Sequence, residues 1–272
     1  MEDFGLDRIR QESIKRIFSC IPEDRHISRL EISEKTGLSL MTVGKITDAL
    51  LEKGTVTYAK SEGGGVGRKA KHISLSDEKK LIVLALHKEK IKLVILSLTL
   101  EKLGELEFTF EKNGAAGAVM EALMPFVFEN NLVGRLVGVC SVYSEDADRE
   151  FCQRLSDDIA ASLSLKVSEV CKSELAKLSA VKEASALYVS KAGCGALVAY
   201  KGSEPVLGAV CAKDKQELEI KLGAIIEFLS ADEVYSELEL ENINASSVSD
   251  TKAKELEYTG AAMLLREKYL II

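Results

Sequence analysis

The chain has 272 residues, 46% of them hydrophobic and 29% charged, with a net charge of −7. This is ordinary globular composition with room for two or three domains, and it excludes a disordered chain. No apolar run reaches the roughly 18 residues that a membrane span needs, and the opening MEDFGLDRIRQE lacks a signal-type apolar stretch, so a cytoplasmic protein with no membrane partner is expected. Residues 1–80 hold 15 Lys and Arg against 13 Asp and Glu, and the remainder 21 against 30. An acidic body behind a mildly basic head fits a tethered nucleic-acid module.

From Asp7 to Cys20, helical spacing puts Ile9, Ile14, Ile17 and Phe18 on one side, and Pro22 ends the segment. Ser28 is placed to cap a short second helix through SRLEISEKTG, and Gly37 to turn the chain. Ser39 then caps LMTVGKITDALLEKG, whose apolar stripe is Val43, Ile46, Leu50 and Leu51, with Gly54 closing it. Helix, short helix, glycine turn and longer helix is helix-turn-helix order. The last helix would turn Ser39, Met41, Thr42 and Lys45 outward near its start, where side chains reach base edges in a major groove. A plain three-helix bundle accounts for the periodicity equally well, but not for the hairpin next along the chain. Thr55–Lys60 and Lys71–Ser76 can pair as strands around a tip that reads EGGGVGRKA. A solvated turn needs neither four glycines nor a cluster of cations. Glycine lets backbone approach a partner closely, and Lys60, Arg68, Lys69 and Lys71 could neutralise phosphates or enter a minor groove. The hairpin reads as a wing, and double-stranded DNA as the partner.

The body alternates strand-like and helix-like pieces. LIVLAL, KLVILSL and GELEFTF read as a meander, AAGAVMEALMPFVFEN as a helix, RLVGVCSV as a buried strand and DADREFCQRLSDDIAASL as an amphipathic helix. SALYVSKAGCGALVAYKGSEPVLGAVCA reads as three further strands, and KQELEIKLGAIIEFLS and TKAKELEYTGAAMLLREKY as the last long helices. The class is α/β in layers. Domains are expected at 1–78 and 79–272, with a lobe boundary near 180–195. The run Glu233–Glu241 reads as a solvated acidic face. Leu222–Leu229 and Ala261–Leu265 are candidate faces for a homodimer.

The stretch GLSLMTVGKITDALLEKGTVTYAKSEGGGVGRKAKHISL resembles the N-terminal module of ROK-family transcriptional repressors, regulators of sugar uptake and use. The shared features are Leu38-Ser39 with Thr42-Val43, Leu50–Gly54, and the Gly64–Arg68 wing. Gly44 departs from it, where a serine is common. The resemblance implies a winged helix followed by a reduced sugar-kinase, actin-like body of two lobes. Ala192–Ala196 stands for the fold's Gly-x-Gly strand turn and Gly260–Ala262 for its terminal helix. It also implies that the body's chemistry is lost. The Asp-x-Gly-x-Thr hairpin that approaches ATP phosphates is replaced by Ala85–Lys90, and the position of the catalytic Asp by Lys172, which cannot accept a proton as a carboxylate does. The family's zinc ligands are missing as well, since no histidine follows His87.

Other chemistry finds no support. The six cysteines (Cys20, Cys140, Cys152, Cys171, Cys194, Cys211) form no CxxC pair and read as buried small hydrophobes. Gly193-Cys194-Gly195 has no histidine near it in sequence, and Gly63–Gly67 lacks the Gly-Lys-Ser/Thr of a phosphate loop. The expectation is a DNA-binding transcriptional regulator of repressor type. It would have no catalytic residues, cofactor or metal, and its body would serve dimerisation and the sensing of a sugar or other small-molecule effector. The competing reading is a divergent sugar kinase with an attached DNA-binding module.

Overall fold

The computed structural model describes residues 3–23, 26–59, 72–87, 90–144, 148–181, 185–192, 195–201 and 206–271. Three helices open the chain: α1 (Asp3–Ser19), α2 (Arg29–Thr36) and α3 (Leu40–Glu52). Their ends follow local chemistry. Ser28 and Glu31 form a capping box at α2, the Ser28 hydroxyl accepting from the Glu31 N–H at 3.2 Å and the Glu31 carboxylate accepting from the Ser28 N–H at 2.8 Å. The Ser28 N–H and hydroxyl hold the Glu31 carboxyl below its ordinary range. Gly37 ends α2 at φ 68°, a left-handed conformation that favours glycine. The Ser39 hydroxyl caps α3 by accepting from the Thr42 N–H at 3.1 Å.

The paired strands predicted on either side of the glycine-rich tip are β2 (Val56–Tyr58) and β3 (His72–Leu75), antiparallel with Val56 opposite Leu75. A third strand, β1 (Ile27–Ser28), pairs with the other edge of β3. Two residues are too few to show a period, so the sequence did not reveal it. Ile17, Phe18, Ile32, Val43, Leu50, Val56 and Ile73 form the head's core. Ile9 departs from expectation: it is 63% exposed, in the part of α1 that reaches past the core.

The body contains two five-stranded sheets. The first comprises β4 (Lys80–His87), β5 (Lys90–Ser97), β6 (Lys102–Thr109), β7 (Leu136–Tyr143) and β8 (Val167–Lys172), in the order β6-β5-β4-β7-β8. The first three form the predicted meander, and β7 and β8 add in parallel. The second comprises β9 (Ala186–Ala192), β10 (Gly195–Lys201), β11 (Val206–Cys211), β12 (Glu233–Ser236) and β13 (Ser246–Ser247), in the order β11-β10-β9-β12-β13. It repeats the plan: a meander, then one parallel strand on its first strand and a second parallel strand beyond that.

Five more helices cover these sheets: α4 (Ala115–Glu129), α5 (Arg149–Ser162), α6 (Ser173–Ala180), α7 (Lys215–Leu229) and α8 (Asp250–Ile271). Helices α4 and α5 bury one face of the first sheet. The other face packs on Ala176 of α6 and on Ala261, Ala262, Leu265 and Tyr269 of α8. The second sheet lies between α7 on one face and α6 with α8 on the other. Covered on both faces, β4 and β5 are near-continuous apolar runs, whereas the edge strand β6 alternates and carries charges. Helices α6 and α8 touch at Gly260, where a Cβ would stand 1.7 Å from the Ala176 carbonyl oxygen.

Three expectations are corrected. Ala261, Ala262 and Leu265 are fully buried within the chain, so they are core and not a free dimer face; in the Leu222–Leu229 face Leu222 is buried likewise, whereas Phe228 is 86% exposed. The run from Glu233 is not simply a solvated face: its first four residues form β12, with Val234 and Ser236 buried, and Glu237 pairs with Lys177 at 2.7 Å and accepts from the Tyr188 hydroxyl at 2.8 Å. Among the cysteines, Cys140 and Cys152 are buried but Cys211 is exposed, and β7 and β8 bring the Cys140 and Cys171 sulfurs to 3.6 Å as free thiols. The contact with Cys171 and burial push the Cys140 thiol well up. Cys194 and Gly193 lie outside the described residues.

Candidate nucleic-acid interface

The geometry of the head comes from how α2 holds α3. The connection is Gly37, Leu38 and Ser39, and the Ser33 hydroxyl donates to the Leu38 carbonyl at 2.6 Å, which fixes the turn. Arg16 of α1 donates to the Thr36 carbonyl at the end of α2, and Arg29 of α2 pairs with Asp48 of α3. Gly44 lies beneath the Arg29 guanidinium, where a Cβ would make only ordinary contact at 3.8 Å. A serine there would be accommodated, so the departure at this position does not disturb the helix pair.

With Val43, Thr47 and Leu50 turned into the core, the opposite face of the first two turns of α3 faces outward. Met41 is 72% exposed, and Ser39 and Lys45 are exposed. Thr42 is half-buried, its hydroxyl 2.9 Å from that of Ser39, so the helix start presents two coupled hydroxyls. The structure brings these four predicted residues together on one surface. Sequence reading missed Leu40, which is 54% exposed directly after the cap. The period gave no signal for it: three residues before Val43, Leu40 continues the Val43–Ile46–Leu50 stripe. Leu40 and Met41 offer apolar surface of the kind that meets a thymine methyl. The remaining predicted contacts, Lys60, Arg68, Lys69 and Lys71, lie outside the described residues.

The head is tied to the body through the end of α8. Leu270 enters the head's core. Arg266, 8% exposed, donates to the Leu98 carbonyl at 2.6 Å and pairs with Glu23 at 3.0 Å while its guanidinium lies 5.3 Å from the Phe18 ring. Lys53, the C-cap of α3, donates to the Tyr269 carbonyl and stands over the Tyr269 ring at 4.5 Å.

The positions expected to have lost phosphoryl-transfer chemistry lie on the α6–α8 side of the first sheet. Residues 88 and 89 of the β4–β5 turn are outside the described residues. His87, at the end of β4, pairs with Glu257 of α8 at 3.2 Å, and the Ser173 hydroxyl at the start of α6 donates to the same carboxylate. Burial pushes the Glu257 carboxyl up, but the bonds from His87 and Ser173 outweigh it and leave it below its ordinary range. Lys172 ends β8, immediately before α6. Both oxygens of Glu257 thus bond to side chains of the chain itself. Among the described residues no cluster of His, Cys, Asp and Glu has the geometry of a metal site.

Residues 10–57 match the winged helix-turn-helix DNA-binding family. No curated protein matches the chain. Among solved structures, a ROK family transcriptional regulator, a homolog of the E. coli MLC protein, superposes with a TM-score of 0.57 at 15% identity, over 71% of this chain and 55% of that one. A Ppx/GppA phosphatase from Aquifex aeolicus gives 0.36 at 12% identity over 58% and 67% of the two chains. The ethanolamine utilization protein EutJ from Carboxydothermus hydrogenoformans gives 0.37 at 13% identity over 58% and 75%. These last two likenesses are too loose to carry an argument. The present chain spans just over half the length of the ROK regulator it matches. Residues 10–57 are therefore a winged helix-turn-helix DNA-binding module, and over 71% of the chain the fold is like that of the ROK family regulator.

Proposed function

We propose that this protein is a DNA-binding transcriptional regulator, a repressor in type, with a head at residues 1–78 and a non-catalytic body at 79–272. The observation that carries this reading is the exposed start of α3, held outward by a capped and ion-paired helix-turn-helix. In this reading Ser39, Met41, Thr42 and Lys45 contact base edges, joined by Leu40. Lys60, Arg68, Lys69 and Lys71 contact phosphates from the wing. The protein acts in the cytoplasm, where its DNA lies. No described helix is long and apolar enough to cross a membrane.

A single winged helix covers a short footprint, so a two-fold homodimer on a pseudo-palindromic site is part of the proposal. Support for a pairing surface comes from α7, where Ile220 and Phe228 are 67% and 86% exposed. The competing reading, a divergent sugar kinase, is disfavoured by the internal bonding of Glu257 and by Lys172 at the place of a general base.

The test is selection of duplexes from fragmented genomic DNA, followed by anisotropy titrations over a range of salt. Replacing both Arg68 and Lys69 by alanine should weaken binding to every duplex and flatten the slope of log K against log salt by about 0.9 per lost phosphate contact. Met41→Ala should relax sequence preference with the slope unchanged. Wild-type affinity of the double variant at every salt concentration would refute the wing contacts. A coupled assay showing sugar phosphorylation would favour the kinase.

A further inference from the structure

A cleft of about 700 Å³ opens where the head meets the body. That lies within the range of small-molecule sites, roughly 300–1,000 Å³. Its walls are apolar and come from α4, β7 and the turns around them: Val127, Leu132, Leu136 and Val137, with Phe128 and Val133 at the rim, 63% and 65% exposed. Its charged members are three lysines, one from each side of the junction and one between: Lys53 at the end of α3, Lys79 just before β4, and Lys166 just before β8. No carboxylate lines it, although the chain carries a net charge of −7. Among the described residues, none of the three lysines has a carboxylate within ion-pair distance. A lysine ammonium has three donors, and Lys53 places one on the Tyr269 carbonyl.

We infer that this junction cleft binds a small amphipathic anion, an apolar body bearing a carboxylate or a comparable single negative group, with the apolar part against the α4–β7 wall and the charge between Lys53 and Lys166. Burial, and after it the neighbouring charge of Lys166, lowers the Lys53 ammonium pKa, so an anion here relieves repulsion already present. The ligand would touch the C-cap of α3 and the body together. That it thereby adjusts the presentation of α3 to DNA rests on the proposed function; the binding itself does not.

Calorimetry on the full chain without DNA tests the site, with decanoate, 1-decanol and decyltrimethylammonium as probes below their micelle concentrations. Decanoate should saturate at one per chain, and the neutral and cationic probes should bind about tenfold more weakly or less, as one favourable charge contact implies. Lys53→Met and the exposed Lys166→Glu should each weaken decanoate about tenfold, while Lys252→Glu, on the far end of α8, should leave it unchanged. Absence of saturable decanoate binding, equal binding of all three probes, or wild-type affinity in Lys166→Glu would overturn the inference. Because no DNA is present, that failure is separable from failure of the regulatory reading.

Discussion

Substituting Gly260 by alanine should destabilise the protein, although alanine is the better helix former by about 1 kcal/mol. The added Cβ would stand 1.7 Å from the Ala176 carbonyl oxygen, 2.6 Å from its carbon and 3.1 Å from the Ala180 nitrogen. All three are backbone atoms of α6 and cannot rotate away. Restoring ordinary contact at roughly 3.5 Å demands that α6 and α8 separate by about 1.5–2 Å. Both helices pack between the two sheets, so Ala261, Ala262 and Leu265 would lose contacts at the same time. Overpacking of this kind costs about 1–3 kcal/mol, occasionally more, which exceeds the propensity gain. For a chain of this size that corresponds to a fall in Tm of roughly 2–4 °C per kcal/mol. Gly223→Ala in α7 is the control: among the described residues no atom outside its own helix turn lies within 4 Å of the place its methyl would occupy, so only the propensity gain applies and stability should rise by up to about 1 kcal/mol. Circular-dichroism melts of both variants decide. A Gly260→Ala protein at least as stable as wild type would refute the close approach of α6 and α8.

His87→Ala leaves the buried Glu257 carboxylate with the Ser173 hydroxyl and the charge of Lys177, at a cost of about 1–3 kcal/mol near neutral pH. Because the Glu257 pKa is depressed in the folded protein, its contribution is complete above the ordinary carboxylate pKa and is lost as pH falls through the folded value. Removing His87 raises that folded value, so the acid loss of Tm should begin at higher pH in the variant; superimposable acid limbs would contradict this. Arg266→Ala strips the Leu98 carbonyl of its donor and Glu23 of its partner, and should lower stability by about 1–3 kcal/mol while speeding proteolysis between head and body. Urea midpoints and digestion rates equal to wild type would show that this tie is dispensable.

What was legible in the sequence was local. Ser28, Gly37 and Ser39 act on backbone groups within a few residues, so their roles as caps and turn could be read without knowing the fold. The same holds for the stripe of α3, the β4–β6 meander and the three strands β9–β11, where side-chain period and glycine placement carry the information. The outward setting of Met41 and Lys45 on α3 followed from that period, because residues off the buried stripe must face out; the exposure of Leu40 did not. Tertiary structure decided the rest. Strand β1 exists because β3 offers it an edge, and α6 is a short helix whose buried face is fixed by α8. Leu222 and the Ala261–Leu265 face were correctly apolar but are buried within the chain, and Leu270 completes the core of the first domain. Periodicity states that a face must be covered; it carries no information on what covers it, because that depends on contacts between residues far apart in sequence, here more than 200 positions in the case of Lys53 and Tyr269.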